Sequence, residues 1–238
     1  MKKWYILLLL ALVTTVSFAQ TRKVRGNGNV VTKDKRIEHF TKVEIHSHLE
    51  VSILHNPFAN KLSITGDANL HQIIETQIKD GTLTLKLKDN FEVVEQTSPF
   101  KIALTTKDLN EIHIVGNANV ESIGTNESDA LVITNSGSGK IELRVKNDSL
   151  KVTNTGSGTI VAEGNANIIT ATNTSSGIVD LRNVSTFFME VMASGSGDTY
   201  TNAVNGLDGK LEGSGNIYYR NTKTLNVKVT GSGELKRL

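Results

Sequence analysis

The chain has 238 residues, 38% of them hydrophobic and only 5% aromatic, with 20 glycines, 2 prolines and no cysteine. Alternating Val, Ile and Leu throughout exclude disorder, the lack of Cys excludes disulfides and a lipid-bearing N-terminal cysteine, and the mixture suits short strands joined by tight turns. The formal net charge of +2 counts Lys2 and Lys3; without them 24 basic residues face 24 acidic ones, which removes the electrostatic case for nucleic acid or an anionic membrane as the main partner.

The first 19 residues read as a signal peptide. Lys2 and Lys3 precede an apolar run from Trp4 to Val16, and Ser17-Phe18-Ala19 places small residues where a signal peptidase reads. Cleavage after Ala19 leaves Gln20 as the mature start and no integral membrane span. The expected location is therefore outside the cytoplasm: periplasm, cell surface or medium.

Residues 20–115 read as irregular β coils. Gly26-Asn27-Gly28-Asn29-Val30 and Gly66-Asp67-Ala68-Asn69-Leu70 look like equivalent turns. Val43 to Ile53 alternates over much of its length like one strand. That strand would put His46 and His48 on one face between Glu44 and Glu50, a donor set suited to zinc or nickel. A solvated polar face is the better reading, because no third ligand motif is visible. Leu70 to Gln77 is the best short helix candidate, Asp80-Gly81 marks a hairpin, and Phe91 to Pro99 reads as a loop or edge excursion.

Residues 116–238 carry a repeat, continuous with the earlier coils. The triplets Gly137-Ser138-Gly139, Gly156-Ser157-Gly158, Ser175-Ser176-Gly177, Gly195-Ser196-Gly197, Gly213-Ser214-Gly215 and Gly231-Ser232-Gly233 follow the variant Gly116-Asn117-Ala118 at steps of 18 to 21 residues. Two places after each triplet come Val120, Ile141, Ile160, Val179, Thr199, Ile217 and Leu235. Within a repeat the period is two, as in Lys140-Ile141-Glu142-Leu143-Arg144-Val145-Lys146, so apolar residues share one strand face. The pattern predicts an all-β parallel solenoid with about two strands per coil, Gly-Ser-Gly at one corner and Asn147-Asp148-Ser149 at the other. On this reading the glycines supply positive φ. Asn135, Asn154 and Asn173 form either an amide ladder between coils or ordinary turn residues.

These motifs together resemble the auto-transporter adhesin, head GIN domain family of bacterial surface and periplasmic proteins. The residues that carry the likeness are Gly66 to Leu70, Ile74-Glu75-Thr76 through Leu83, Leu109 through Val120, the serial Gly-Ser-Gly turns and Gly215-Asn216-Ile217. The resemblance implies a right-handed β-helix shaped like the pectin lyases but without their catalytic residues, an adhesive role, and a homo-oligomer. It also implies a Bacteroidetes-like Gram-negative source.

Catalytic patterns are missing from the sequence. Gly137-Ser138-Gly139-Lys140 fails as a phosphate loop, since Thr134 and Ile141 stand where Gly and Ser/Thr are required. Neither Gly-x-Ser-x-Gly nor His-Glu-x-x-His occurs. All six histidines lie between His39 and His113, so the regular coils contain none. No catalytic residue, cofactor or metal is therefore assigned. The expected function is an exported envelope protein that binds a carbohydrate or protein ligand, with Tyr200 and Tyr218 as candidate contacts. In Phe187-Phe188 and Tyr218-Tyr219 one member of each pair is expected to be core. The alternative is a polysaccharide-acting enzyme on the same fold, which needs paired carboxylates across a cleft.

Overall fold

The structure is a computed structural model that describes residues 21–238 except Pro57 and Asn221; the segment expected to be a signal peptide, residues 1–19, lies outside the described residues. In chain order the strands are β1 (Arg22–Arg25), β2 (Val30–Arg36), β3 (Lys42–Ile45), β4 (Glu50–His55), β5 (Lys61–Asp67), β6 (Ile74–Lys79), β7 (Thr82–Leu87), β8 (Phe91–Glu95), β9 (Lys101–Thr106), β10 (Glu111–Ile114), β11 (Asn119–Asn135), β12 (Lys140–Asn154), β13 (Thr159–Asn173), β14 (Ile178–Ala193), β15 (Thr199–Thr201), β16 (Ala203–Leu211), β17 (Ile217–Tyr219), β18 (Thr224–Val229) and β19 (Leu235–Arg237).

These strands wind into a parallel β-solenoid of about seven turns. Ile141 pairs with Ile160 and Ile160 with Val179, so equivalent residues of successive repeats pile up as the periodicity requires. One face of the solenoid runs through β9, β4, the first halves of β11 to β14, then β15, β17 and β19. The other runs through β7, β3, β10, the second halves of β11 to β14, then β16 and β18. Inward residues such as Ile112, Ile133, Val152, Ala171 and Val191 are buried between the two faces.

The second corner differs from expectation. Asn147-Asp148-Ser149 does not break the chain into two strands; the ladder bends through it, and β12 pairs with β13 on both sides. Asn147 is buried there and its Nδ2 donates to Ser128 O at 2.9 Å in the preceding coil. Asp148 Oδ1 accepts from Asn167 Nδ2 of the next coil at 2.8 Å.

The glycine corner also has a different cause. The positive-φ glycines are Gly28, Gly81, Gly124, Gly164 and Gly209, and no corner glycine is among them. A Cβ at Gly158 would instead overlap Gly139 O and Asn135 Nδ2, and one at Gly177 would overlap Gly158 O and approach Asn154 Nδ2 to 2.6 Å. Close approach of one coil to the previous one, not backbone handedness, excludes a side chain here. Asn135, Asn154 and Asn173 do lie in register. Yet their amides donate to Gly139 O, Gly158 O and Gly177 O, each at 2.9 Å and within the same coil. They clamp their own corners; only Asn173 also reaches the next coil, at 3.3–3.4 Å.

The N-terminal region closes one end of the stack. β7 pairs antiparallel with β6, and β9 with β5, which pairs with β2. The Asp80-Gly81 hairpin forms with both residues at positive φ. Leu70 to Gln77 holds only a 3-10 turn, His71–Ile73, before β6 begins. Phe91 to Pro99 is not simply a loop: β8 pairs in parallel with β1 as a small separate sheet. Likewise Gly26–Val30 and Gly66–Leu70 are not stacked corners. They meet, with Gly28 N donating to Asp67 Oδ1 at 2.8 Å and Asn69 Nδ2 to Arg25 O at 2.7 Å.

Asp67 ties this closure together. It is buried and accepts from Thr97 N and Thr97 Oγ1, both at 2.9 Å, as well as from Gly28 N. These donors, the Thr97 backbone N–H foremost, hold its carboxyl below the usual carboxylate range. A depressed folded pKa gives stability that is present above the unfolded value and lost as pH falls through the folded one. Acidification below the ordinary Asp range is therefore expected to speed amide exchange in β1 and β8 before the regular coils loosen. Hydrogen exchange against pH measures this, and Asp67→Asn should give the fast-exchanging behaviour already at neutral pH.

Candidate binding face

Outward residues of the first face form columns along the solenoid axis, because each coil repeats the orientation of the last. Three places after the corner triplets stand Glu121, Glu142, Val161, Asp180, Tyr200, Tyr218 and Lys236. At the C-terminal end this column is an aromatic stack. The Tyr200 and Tyr218 rings lie 4.6 Å apart at 10°, Arg182 Cζ lies 3.8 Å over the Tyr200 centroid, and Lys236 Nζ lies 5.9 Å from that of Tyr218. The guanidinium is anchored to Asp180 Oδ1 at 2.8 Å, and Lys236 pairs with Glu234 at 3.0 Å. These carboxylates are the main cause of the raised pKa of each cation, which favours the charged form over the rings.

The stack changes what the tyrosines can offer. Their outer ring faces carry Arg182 and Lys236, and their inner faces meet each other. A sugar ring cannot lie flat on either; the ring edges, hydroxyls and flanking charges are what this column presents.

Towards the N-terminal end the same face forms a shallow hollow of about 330 Å³ whose lining includes Glu50, Lys101, Asn119, Glu121, Lys140 and Glu142. Glu50 lies in register with Lys101 on one side and Asn119 on the other, and Asn119 with Lys140, so one column carries both signs of charge with an amide between them. Ser52 Oγ donates to Glu121 Oε1 at 2.8 Å, and Lys140 Nζ lies 2.7 Å from Glu142 Oε1. Glu121 and Glu142 sit side by side on neighbouring strands of one sheet rather than facing each other over a groove. The repeat alignment could have revealed both groups, since each is a column at fixed offset.

The structure places the other sequence candidates elsewhere. His46 and His48 do not share a strand face: the chain bends between β3 and β4, and Ser47-His48-Leu49 occupies the corner stacked under Gly116-Asn117-Ala118. Both imidazoles are exposed, and His46 Nε2 bonds Glu44 Oε1 at 2.7 Å. Among the described residues no cluster of three or more His, Asp or Glu side chains is arranged to hold a metal. Phe187 and Phe188 are both more than half exposed, at 56% and 53%, because they sit at the second corner where strand alternation lapses. Tyr218 and Tyr219 are both half-buried, Tyr219 packing against the core.

Fold and face together define a β-solenoid whose outward face is a flat ladder of side chains rather than a deep cleft. The chain belongs to the family described as "Putative auto-transporter adhesin, head GIN domain", which matches residues 39–222. Solved structures share the fold. A "putative adhesin" from Bacteroides fragilis has a TM-score of 0.86 at 24% identity, covering 90% of this chain and 100% of that one. One from Parabacteroides distasonis has a TM-score of 0.74 at 20% identity, covering 91% and 100%. A second protein of that species, described as a "putative lipid binding protein", has a TM-score of 0.74 at 24% identity with the same coverage. No curated protein matches the chain. No helix among the described residues is long and apolar enough to cross a membrane.

Proposed function

We propose that this protein is an exported, non-catalytic binding protein of the cell envelope that attaches to a carbohydrate or protein ligand along its first face. The observation that carries the reading is the continuous run of outward columns, from the charged hollow at Glu50 and Glu142 to the Arg182–Tyr200–Tyr218–Lys236 stack. A rigid ladder of this kind suits an extended polymer, because contacts recur at the strand spacing of about 4.8 Å. The carboxylates of the hollow are held by Ser52 and Lys140 on one sheet, which suits ligand hydrogen bonding better than acid–base work.

The test is a glycan and matrix-protein array probed with the purified protein, with phospholipid vesicles as a third arm. Binding to a glycan or protein, reduced about tenfold or more by Tyr218→Ala or Arg182→Ala, supports the reading. Binding to vesicles alone, turnover of a polysaccharide, or binding that both substitutions leave intact overturns it.

A further inference from the structure

The two ends of the solenoid are built differently. The N-terminal end is covered by β2, β5 and β6, and its outermost strand β2 carries the exposed charges Lys33, Asp34, Lys35 and Arg36. Such charges protect a sheet edge from further pairing. The C-terminal end has no counterpart among the described residues. Among the described residues β18 pairs only with β16, and β19 only with β17. Its last apolar layer is open: Leu225 is 41% and Val229 44% exposed, with Val227 and Leu235 partly buried, whereas Leu207, Leu211 and Ile217 one coil below are fully buried.

Backbone direction sharpens the contrast. In each coil the inward residues donate their N–H to the coil that follows: Val179 N to Asp198 O, Thr199 N to Asn216 O, Ile217 N to Glu234 O. The outward residues bond backwards, as Thr230 N does to Leu211 O. On the last coil the groups directed away from the stack are therefore those of Leu225, Val227 and Val229. The edge is thus both apolar and rich in unpaired donors and acceptors, the combination that adds strands.

The geometry points to a second copy of this chain as the partner, docked tail to tail with β18 antiparallel to its equivalent and Val227 on the two-fold axis. In that register Leu225 faces Val229 of the other copy and Val227 faces itself. The N–H groups of Leu225, Val227 and Val229 that point away from the stack then each meet a C=O of the other copy, and the two open apolar layers close on each other. The pattern is self-complementary, as a two-fold contact demands. Head-to-tail growth would instead set β18, with Lys228, against the charged β2 edge with Lys33 and Lys35. This inference is independent of the ligand-binding reading, since it uses the end of the stack and not its face.

The contact is small. A strand of six residues spans about 20 Å and the faces lie about 10 Å apart, so the area falls below the roughly 800 Å² per partner of a standard complex. A weak dimer that dissociates in the micromolar range is expected. Light scattering across a dilution series beginning at about 100 µM should show twice the single-chain mass, falling on dilution. Val227→Pro should weaken association about tenfold or more while leaving the fold intact, because its N–H points away from β16, the partner strand of β18 among the described residues, and Pro is tolerated at such edge positions. Because the protein has no native cysteine, Val227→Cys should give an oxidised dimer, while Ser138→Cys on a remote corner should not. A strict monomer at the highest concentration, growth into open chains, dimers unaffected by Val227→Pro, or equal cross-linking at both cysteines each overturns the proposal.

Discussion

Gly158→Ala is expected to destabilise the protein by about 3 kcal/mol or more, although it adds one methyl group at a position with no positive φ. The added Cβ would overlap Gly139 O of the preceding coil and the Asn135 amide that clamps that coil's corner. Both neighbours are held, one as backbone and the other by a hydrogen bond to that same carbonyl, so neither yields cheaply. Relief requires the coils to part locally, which weakens ladder bonds on both sides of the corner. Urea unfolding followed by circular dichroism measures the effect. Two controls isolate the cause. Ser157→Ala alters an exposed side chain in the same triplet and should stay within about 0.5 kcal/mol. Gly28→Ala has open space around its Cβ but positive φ, so it should cost only the left-handed strain, about 1–2 kcal/mol. A Gly158→Ala loss no larger than that of Gly28→Ala would show that close approach is not what requires the corner glycines.

Asn154→Asp is expected to cost about 3–5 kcal/mol at neutral pH, the penalty of an uncompensated buried charge, and Asn154→Ala about 1–3 kcal/mol for the lost hydrogen bond. Asn154 is fully buried, with its amide donating to Gly158 O. An ionised carboxylate has nothing to donate and would face that carbonyl. A protonated carboxyl could restore the bond, so burial raises the folded pKa of the introduced group above its unfolded value. The sign follows: stability is retained below the unfolded pKa and lost as pH rises towards the folded one. The aspartate variant should therefore recover on acidification relative to wild type, and the alanine variant should not. Denaturation midpoints of all three proteins at several pH values make the comparison. Parallel pH curves for the two variants would mean that the amide's donor role is not what stabilises the corner.

The regular coils were legible because their physics is local and repeated. Alternation at period two placed Ile141, Ile160 and Val179 inward, and a spacing near 19 residues stacked them. The N-terminal coils were less legible for a physical reason. Ser47-His48-Leu49 is a corner without glycine, so Val43 to Ile53 looked like one strand. In the coil beneath it β7 ends at Leu87, and the chain departs through β8 before β9 resumes at Lys101. No corner carbonyl lies under Ser47 to forbid side chains; instead Leu87 N donates to Ser47 Oγ at 2.9 Å. Glycine marks a corner only where another corner lies beneath it.

The candidate face was half legible. Tyr200 and Tyr218 were visible as aromatics at one offset, but their stacking and the cations over their outer faces were not. Arg182 sits two residues along its strand from that column and bends over it while bonded to Asp180. Side-chain direction of that kind is settled by neighbours in space.

In the regular repeats the sequence by itself determined which residues point inward, where the glycine corners fall, and that one coil needs another to bury its apolar side. Those properties follow from strand geometry, which acts over a few residues. Only the tertiary structure decided why the corners must be glycine, which bonds the asparagines make, and that β2, β5 and β6 cover the N-terminal end of the stack. The close approach at the corners and the N-terminal closure depend on contacts between chain segments some 20 to 70 residues apart, while the asparagine clamps span only four residues but depend on side-chain direction, which a periodic pattern of residue types does not record.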